Sequence, residues 1–265
     1  MATVRQPSPM LLALEQFAVL ELGAFVAASP LLRAAGRGDR HPVLVLPGFT
    51  ASDRSTVPLR AVLRSQGYWV HGWGLGQNVG PTPDIVAGIE ERLLTLHERH
   101  GVKVSIVGWS LGGIYARELA RRHPQAVRQV ITLGSPFQIR DGDRTSASFL
   151  ADQLSHRFVT LNDDWDQHED GRPPITVPVT NIYSRTDGVV RWHLCLDAKG
   201  PLRENIEVRG THVGLGYNAT VLVAITDRLA QPEGTWKPFA PPCYMSGAYP
   251  KPAWHRSGDL AEAYG

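Results

Sequence analysis

Val102-Lys-Val-Ser-Ile-Val-Gly-Trp-Ser-Leu-Gly-Gly113 carries a β-branched run directly into Gly108-Trp-Ser-Leu-Gly112 and from there into a helical pattern. A strand that passes into a helix through a single residue strains that residue's backbone and exposes its side chain at the strand's carboxyl end. Glycines on either side of Ser110 let the neighbouring backbones approach closely enough for such a turn. The stretch reads as a nucleophile elbow, with Ser110 the candidate nucleophile of an acyl-transfer enzyme.

The chain around it alternates strand and helix. Pro42-Val-Leu-Val-Leu46 is a short apolar run suited to burial on both faces, and Tyr68 to His71 gives a second strand. Between them Ser52 to Gln66 predicts a helix, capped by Ser52 or Asp53 and stopped at Gly67. Ile85, Ile89, Leu93 and Leu96 repeat at helical spacing from Thr82 to His100, and Gly101 ends that helix before the strand Val102 to Val107. Leu111 to Arg122 reads as helix and Val127 to Leu133 as strand; later strands follow at Val177 to Tyr183 and Asn205 to Val208, with a helix from about Gly216 to Ala230. This rhythm predicts an α/β fold with a mostly parallel central sheet and helices on both faces.

Residues 37–230 form the expected catalytic domain. Between about 138 and 176 the rhythm gives way to charged and polar residues, read as a small cap insertion. Its apolar residues Phe149, Leu150, Leu154, Phe158, Val159, Leu161 and Trp165 either cover the site or pack on the body. Residues 231–265 are rich in Pro, Gly and aromatics without periodicity and predict an extended tail, packed in part or disordered.

Residues 1–36 hold a nearly uncharged apolar stretch, Met10 to Ala28, interrupted by Glu15, Gln16 and Glu21. Those interruptions argue against both a signal peptide and a membrane span, which needs about 20 predominantly apolar residues. The expectation is an uncleaved, cytoplasmic chain whose N-terminal helix docks on the main domain. A lid, a homo-oligomer contact or a peripheral membrane contact are its alternative roles.

Composition excludes several classes. Among 265 residues, 27 basic side chains stand against 25 acidic ones with no basic run, so no nucleic-acid partner is expected. Cys195 and Cys243 fit neither a zinc site nor a disulfide framework and read as free thiols.

A serine hydroxyl needs a histidine to take its proton and a carboxylate to orient that histidine. In a parallel sheet the three must come from loops at the carboxyl ends of strands. His212 lies in the glycine-framed loop Gly210-Thr-His-Val-Gly214, after the last strand, and Asp187 follows the strand that ends at Tyr183. His193 is the rival base, close in sequence to Asp187; Asp163, Asp164 and Asp166 read as solvated surface within the insertion. The oxyanion of acyl attack needs backbone donors, for which the N–H groups of Leu111 and Phe49 are the candidates, with Thr50 adding a hydroxyl. Trp73, Leu75, Trp109 and Phe137 are candidate pocket residues, together with Gln77 and Asn78.

Through Leu46-Pro-Gly-Phe49, Gly72-Trp-Gly-Leu-Gly-Gln-Asn78, Gly108-Trp-Ser-Leu-Gly112, Leu133-Gly-Ser-Pro136, Ser184-Arg-Thr-Asp187 and Gly210-Thr-His212, the chain resembles α/β-hydrolases of the bacterial lipase and esterase type. The likeness runs from about Pro42 to Leu229, and the order Ser110, Asp187, His212 is the one that family has. It departs at Pro47, where many members carry His before the glycine. The resemblance implies hydrolysis of a small-molecule or lipid carboxylic ester through an acyl-serine, with no metal or organic cofactor. An acyltransferase on the same residues is the alternative, and a catalytically silent binding module the third reading.

Overall fold

The computed structural model describes residues 8–34, 38–139 and 169–254. Six strands form one sheet, Pro42–Leu46 (β1), Trp69–Gly72 (β2), Val104–Trp109 (β3), Val127–Leu133 (β4), Val179–Ser184 (β5) and Arg203–Val208 (β6). Their order is β2-β1-β3-β4-β5-β6 and every pairing is parallel. The chain leaves β1 for β2 on one side, then crosses to β3 and continues outward on the other. The carboxyl ends of β1 and β3 therefore flank a switch point, where open parallel sheets leave a crevice.

Successive β1 residues feed two cores. Val43 and Val45 face one in which Phe25, Leu32, Leu59, Leu63, Leu222 and Leu229 pack; Leu44 and Leu46 face the other, with Ile89, Leu93, Tyr115 and Leu119. Val57–Ser65 (α3) and Ala219–Ala230 (α6) thus cover one face, and Pro83–His100 (α4) and Leu111–Arg122 (α5) the other. This is the fold class that the alternating pattern predicts. The α4 periodicity is realised, with Ile85, Ile89, Leu93 and Leu96 all buried and Gly101 in the left-handed conformation at its end. The Thr82 hydroxyl caps its start by accepting from the Ile85 N–H.

One helix is shorter than its pattern. The expected start at Ser52 or Asp53 moves to Thr56, which precedes α3. The physical reason is that the Asp53 carboxylate is taken elsewhere: its two oxygens accept from the Trp73 and Gly74 N–H groups, both at 3.0 Å. Residues 53–56 form turns instead of the first turn of a helix.

The N-terminal segment is helix Pro9–Leu14 (α1), a short 3-10 turn Glu15–Phe17 and helix Ala18–Ala34 (α2). Phe25 and Leu32 join the first core, and the buried Gln66 amide donates to the Leu32 carbonyl at 2.7 Å. Most of its other apolar side chains face out: Met10, Phe17, Val19, Leu20 and Val26 are exposed, Val19 by 73%. Pro9–Pro30 is also long and apolar enough to cross a membrane by length and composition, with a mean hydropathy of 1.7. The tail to Trp254 lies against the body, Phe239 and Tyr249 packing on the first core. Cys195 and Cys243 are both free thiols. Phe149, Leu150, Leu154, Phe158, Val159, Leu161, Trp165, Asp163, Asp164 and Asp166 of the insertion lie outside the described residues.

Candidate active site

Ser110 stands between β3 and α5 with φ 53° and ψ −121°, the strained backbone that the elbow motif demands of a residue with a side chain. Its N–H donates to the Leu133 carbonyl at 2.8 Å and its own carbonyl accepts from Gly113 at 2.9 Å, so the strand behind and the helix ahead both hold it. Both flanking glycines are needed sterically. A Cβ on Gly108 would collide with the Gly112 backbone, and one on Gly112 with the Leu46 carbonyl of β1. Gly48, in the loop after β1, passes so near that its Cβ would come 3.1 Å from that of Ser110.

Asp187 and His212 meet in the loops after β5 and β6. His212 Nδ1 donates to Asp187 Oδ2 at 2.6 Å, and Asp187 Oδ1 accepts from the Val189 and Val190 N–H groups at 2.9 and 2.7 Å. Since a carboxylate here only accepts, Nδ1 carries the proton and Nε2 is left with its lone pair. Both residues are buried. Burial works against protonation of His212, but the charge and hydrogen bond of Asp187 and the charge of Glu15 outweigh it, and the imidazole pKa lies above its ordinary value.

This pair lies beside the elbow. The Trp109 indole, from the residue before Ser110, donates to the His212 carbonyl at 3.1 Å. Gly134, after β4, sits against both partners; its Cβ would come 3.0 Å from His212 Nδ1 and 3.1 Å from Asp187 Oδ2. His193 is in the 3-10 turn Trp192–Cys195 with its ring edge-on to Trp192, while Asp187 is engaged by His212.

The loop carrying Phe49 is fixed from below by Asn78. That fully buried amide donates to the Pro47 carbonyl at 2.9 Å, and its backbone carbonyl accepts from Thr50 at 2.7 Å. Thr50 has φ 61°, a second strained residue at this edge. Among the turn, loop and cap hydrogen bonds of the described residues, neither Phe49 nor Leu111 donates its N–H to another backbone carbonyl. Asn78 is thus a support for this loop, not a wall of a cleft. Trp73 needs the same correction: it is fully buried in the second core, its indole donating to the Gly76 carbonyl at 3.0 Å. Leu75 packs on that core beside Gly88 of α4, Phe137 is buried under the Arg117 guanidinium, 3.7 Å from its ring centroid, and Trp109 buttresses His212.

Two site residues escape a reading of the motifs. Glu15 Oε1 accepts from the Gly188 and His212 N–H groups, both at 2.8 Å, and Oε2 from Val213 at 2.9 Å. Glu21 accepts from the Thr211 N–H at 2.7 Å and from the Asn218 side chain at 3.1 Å. Their signal in the sequence is that they are the only charges in a long apolar stretch, which marks them as an interruption but does not say of what. No group of three or more His, Cys, Asp or Glu arranged to hold a metal ion occurs among the described residues.

An open parallel sheet with a strained Ser at the switch point, and an Asp–His pair in the loops after β5 and β6, is the arrangement of the α/β-hydrolase fold. The family model described as alpha/beta hydrolase fold matches residues 42–167, and the six-stranded parallel sheet with helices on both faces is that fold. It is 33% identical over 88 residues to a pimeloyl-[acyl-carrier protein] methyl ester esterase of Aromatoleum aromaticum, covering 25% of this chain and 35% of that protein. To the serine hydrolase BPHL of Homo sapiens it is 31% identical over 117 residues, covering 41% and 40%. The match thus spans well under half the length of either relative. Aspergillus fumigatus lipase B superposes with a TM-score of 0.56 at 16% identity, over 73% of this chain and 53% of that one. The mature Bacillus licheniformis lipase BlEst2 does so with 0.52 at 18% identity, over 72% and 92%. At such identities these likenesses show the fold.

Proposed function

We propose that the protein is a serine carboxylester hydrolase working through an acyl-serine intermediate. The observation that carries this reading is the buried hydrogen bond of 2.6 Å from His212 Nδ1 to Asp187, beside a strained elbow serine. His212 Nε2 takes the Ser110 proton as Oγ attacks the ester carbonyl, and Asp187 stabilises the imidazolium that forms. The Leu111 and Phe49 N–H groups receive the oxyanion. The C–O bond then breaks, the alcohol leaves with the proton from His212, and water attacks the acyl-serine with His212 again as base to release the acid.

The partly matching relatives support ester cleavage: one is named a methyl ester esterase and the other a serine hydrolase. Exchange of Ser110 for Ala tests the proposal on a short p-nitrophenyl ester. Loss of hydrolysis by about 10³-fold or more is expected, and retained hydrolysis by the folded variant overturns the assignment. The substrate we infer is a small-molecule or lipid ester. The exposed apolar side chains of α1 and α2, on the segment that meets the His212 loop, support peripheral contact with a lipid surface. A panel of esters of rising chain length, run with and without a detergent interface, reads this out.

A further inference from the structure

We propose that Glu15 is a positioning residue of this active site, holding the Asp187 loop and the His212 loop in register through a single carboxylate. The inference rests on the reading of Ser110, Asp187 and His212 as the catalytic set. Geometry carries it. One oxygen of Glu15 is shared by the N–H of the residue after Asp187 and the N–H of His212 itself, and the other oxygen takes the N–H of Val213. Three charge-assisted hydrogen bonds from two separate loops converge on one side chain. Without it, three N–H groups beside the buried acid and base would lose their acceptor, and the loops their common anchor.

The loops are shaped to receive the segment. A Cβ on Gly188 would collide with the Leu11 carbonyl of α1, and one on Gly214 with the Glu21 carboxylate of α2. The polarity of the segment points the same way. Its two carboxylates turn inward to backbone N–H groups while Val19, Leu20 and Val26 are left facing out. An apolar helix docked for its hydrophobic contacts alone would do the reverse.

Glu15 also acts on the imidazole through its charge. The groups facing His212 are Asp187 from the β5 loop and Glu15 from the 3-10 turn between α1 and α2, with the Trp109 indole of the elbow on its backbone carbonyl. Beyond them lie Glu21 of α2, which binds the adjacent Thr211 N–H, Tyr217 within reach of both glutamates, and the Cys195 thiol near Asp187. Of these, Asp187 and Glu15 hold the imidazolium form.

The test is the pH profile of kcat/KM for a p-nitrophenyl ester, measured on the full chain and on Glu15→Gln, with folding checked by circular dichroism and melting. Gln keeps the size of the side chain and one acceptor oxygen but removes the charge and opposes an amide NH₂ to a backbone N–H. We expect the plateau to fall by about tenfold, mostly in kcat, and the acid limb to move to lower pH by about half a pH unit or more. A folded Glu15→Gln protein with an unchanged plateau and an unmoved limb overturns the proposal. If Glu15→Gln does not fold, Glu15→Asp keeps the charge while drawing the oxygens back by one methylene. It should lower the plateau and leave the limb in place, and a wild-type plateau overturns the proposal. Failure of the underlying reading looks different, because hydrolysis by the wild-type chain would then be untouched by Ser110→Ala.

Discussion

The elbow and the N-terminal segment meet at the same site by opposite means. The elbow is local: the end of β3, the start of α5 and the Leu133 carbonyl of the adjacent β4 hold Ser110 through backbone alone, and each flanking glycine's reason lies within one turn or one neighbouring strand. The N-terminal segment is remote, with nearly 200 residues separating Glu15 from His212. It reaches the site through two carboxylates, and through the Leu11 backbone against Gly188, on loops that it does not belong to. A local device is fixed once its strand forms, whereas a remote clamp depends on docking and is the part most open to adjustment.

The largest effect should come from the centre of the site. Asp187→Asn keeps the shape but removes the charge and the acceptor that fixes the His212 tautomer, and kcat is expected to fall by about 10³ to 10⁴. In wild type the acid limb of kcat/KM should lie above the ordinary histidine value near 6.5, because the folded imidazole pKa is raised and the base works only when neutral. Asp187→Asn should carry any residual limb downward. A limb at or below the ordinary value in wild type would break the account of His212 as a base held by two carboxylates.

Next in size is the elbow. Gly112→Ala drives a methyl into the Leu46 carbonyl, which is backbone of a central strand and cannot move aside. A cost of about 2 to 3 kcal/mol is expected, seen as a melting temperature lower by about 5 to 10 °C, together with loss of fluorophosphonate labelling at Ser110. Unchanged stability would show that the approach of α5 to β1 is less tight than described. On the remote side, Gly214→Ala presses on the Glu21 carboxylate, the far end of a flexible side chain. It should shift that residue without unfolding the sheet, lowering kcat/KM by about threefold to tenfold with little change in melting. If the two glycine variants behaved alike, the distinction between local and remote support would fail.

What the sequence made legible follows the same division. The strands, α4, α5 and the order Ser110, Asp187, His212 rest on periodicity and on motifs that close within a few residues. Asp53 was legible as a cap candidate but not as the acceptor of Trp73 and Gly74, because that partner lies 20 residues away across β2. Trp73 and Asn78 carried the composition of a pocket wall, yet burial decided their roles, and burial depends on which element lies above. Glu15 and Glu21 read as flaws in an apolar helix. Their meaning needs the loops after β5 and β6 in place, which spacing along the chain does not encode.

The smallest expected effect concerns the outer face of the same segment. Val19, Leu20 and Val26 are exposed on α2, so changing all three to Ser removes no core contact, and each site should alter stability by no more than about 0.5 kcal/mol. Hydrolysis of a short, soluble ester should stay within about twofold, since the carboxylates that reach the loops are untouched. Co-sedimentation with phosphatidylcholine vesicles should fall, because about 25 cal/mol per Å² of apolar surface would no longer be gained on leaving water. A loss of short-ester activity as large as that of Glu15→Gln would mean that the outer face, and not the inward carboxylates, holds the segment in place. Unchanged vesicle binding alongside intact hydrolysis would remove the lipid surface from the proposal and leave the clamp on the catalytic loops as the segment's whole contribution.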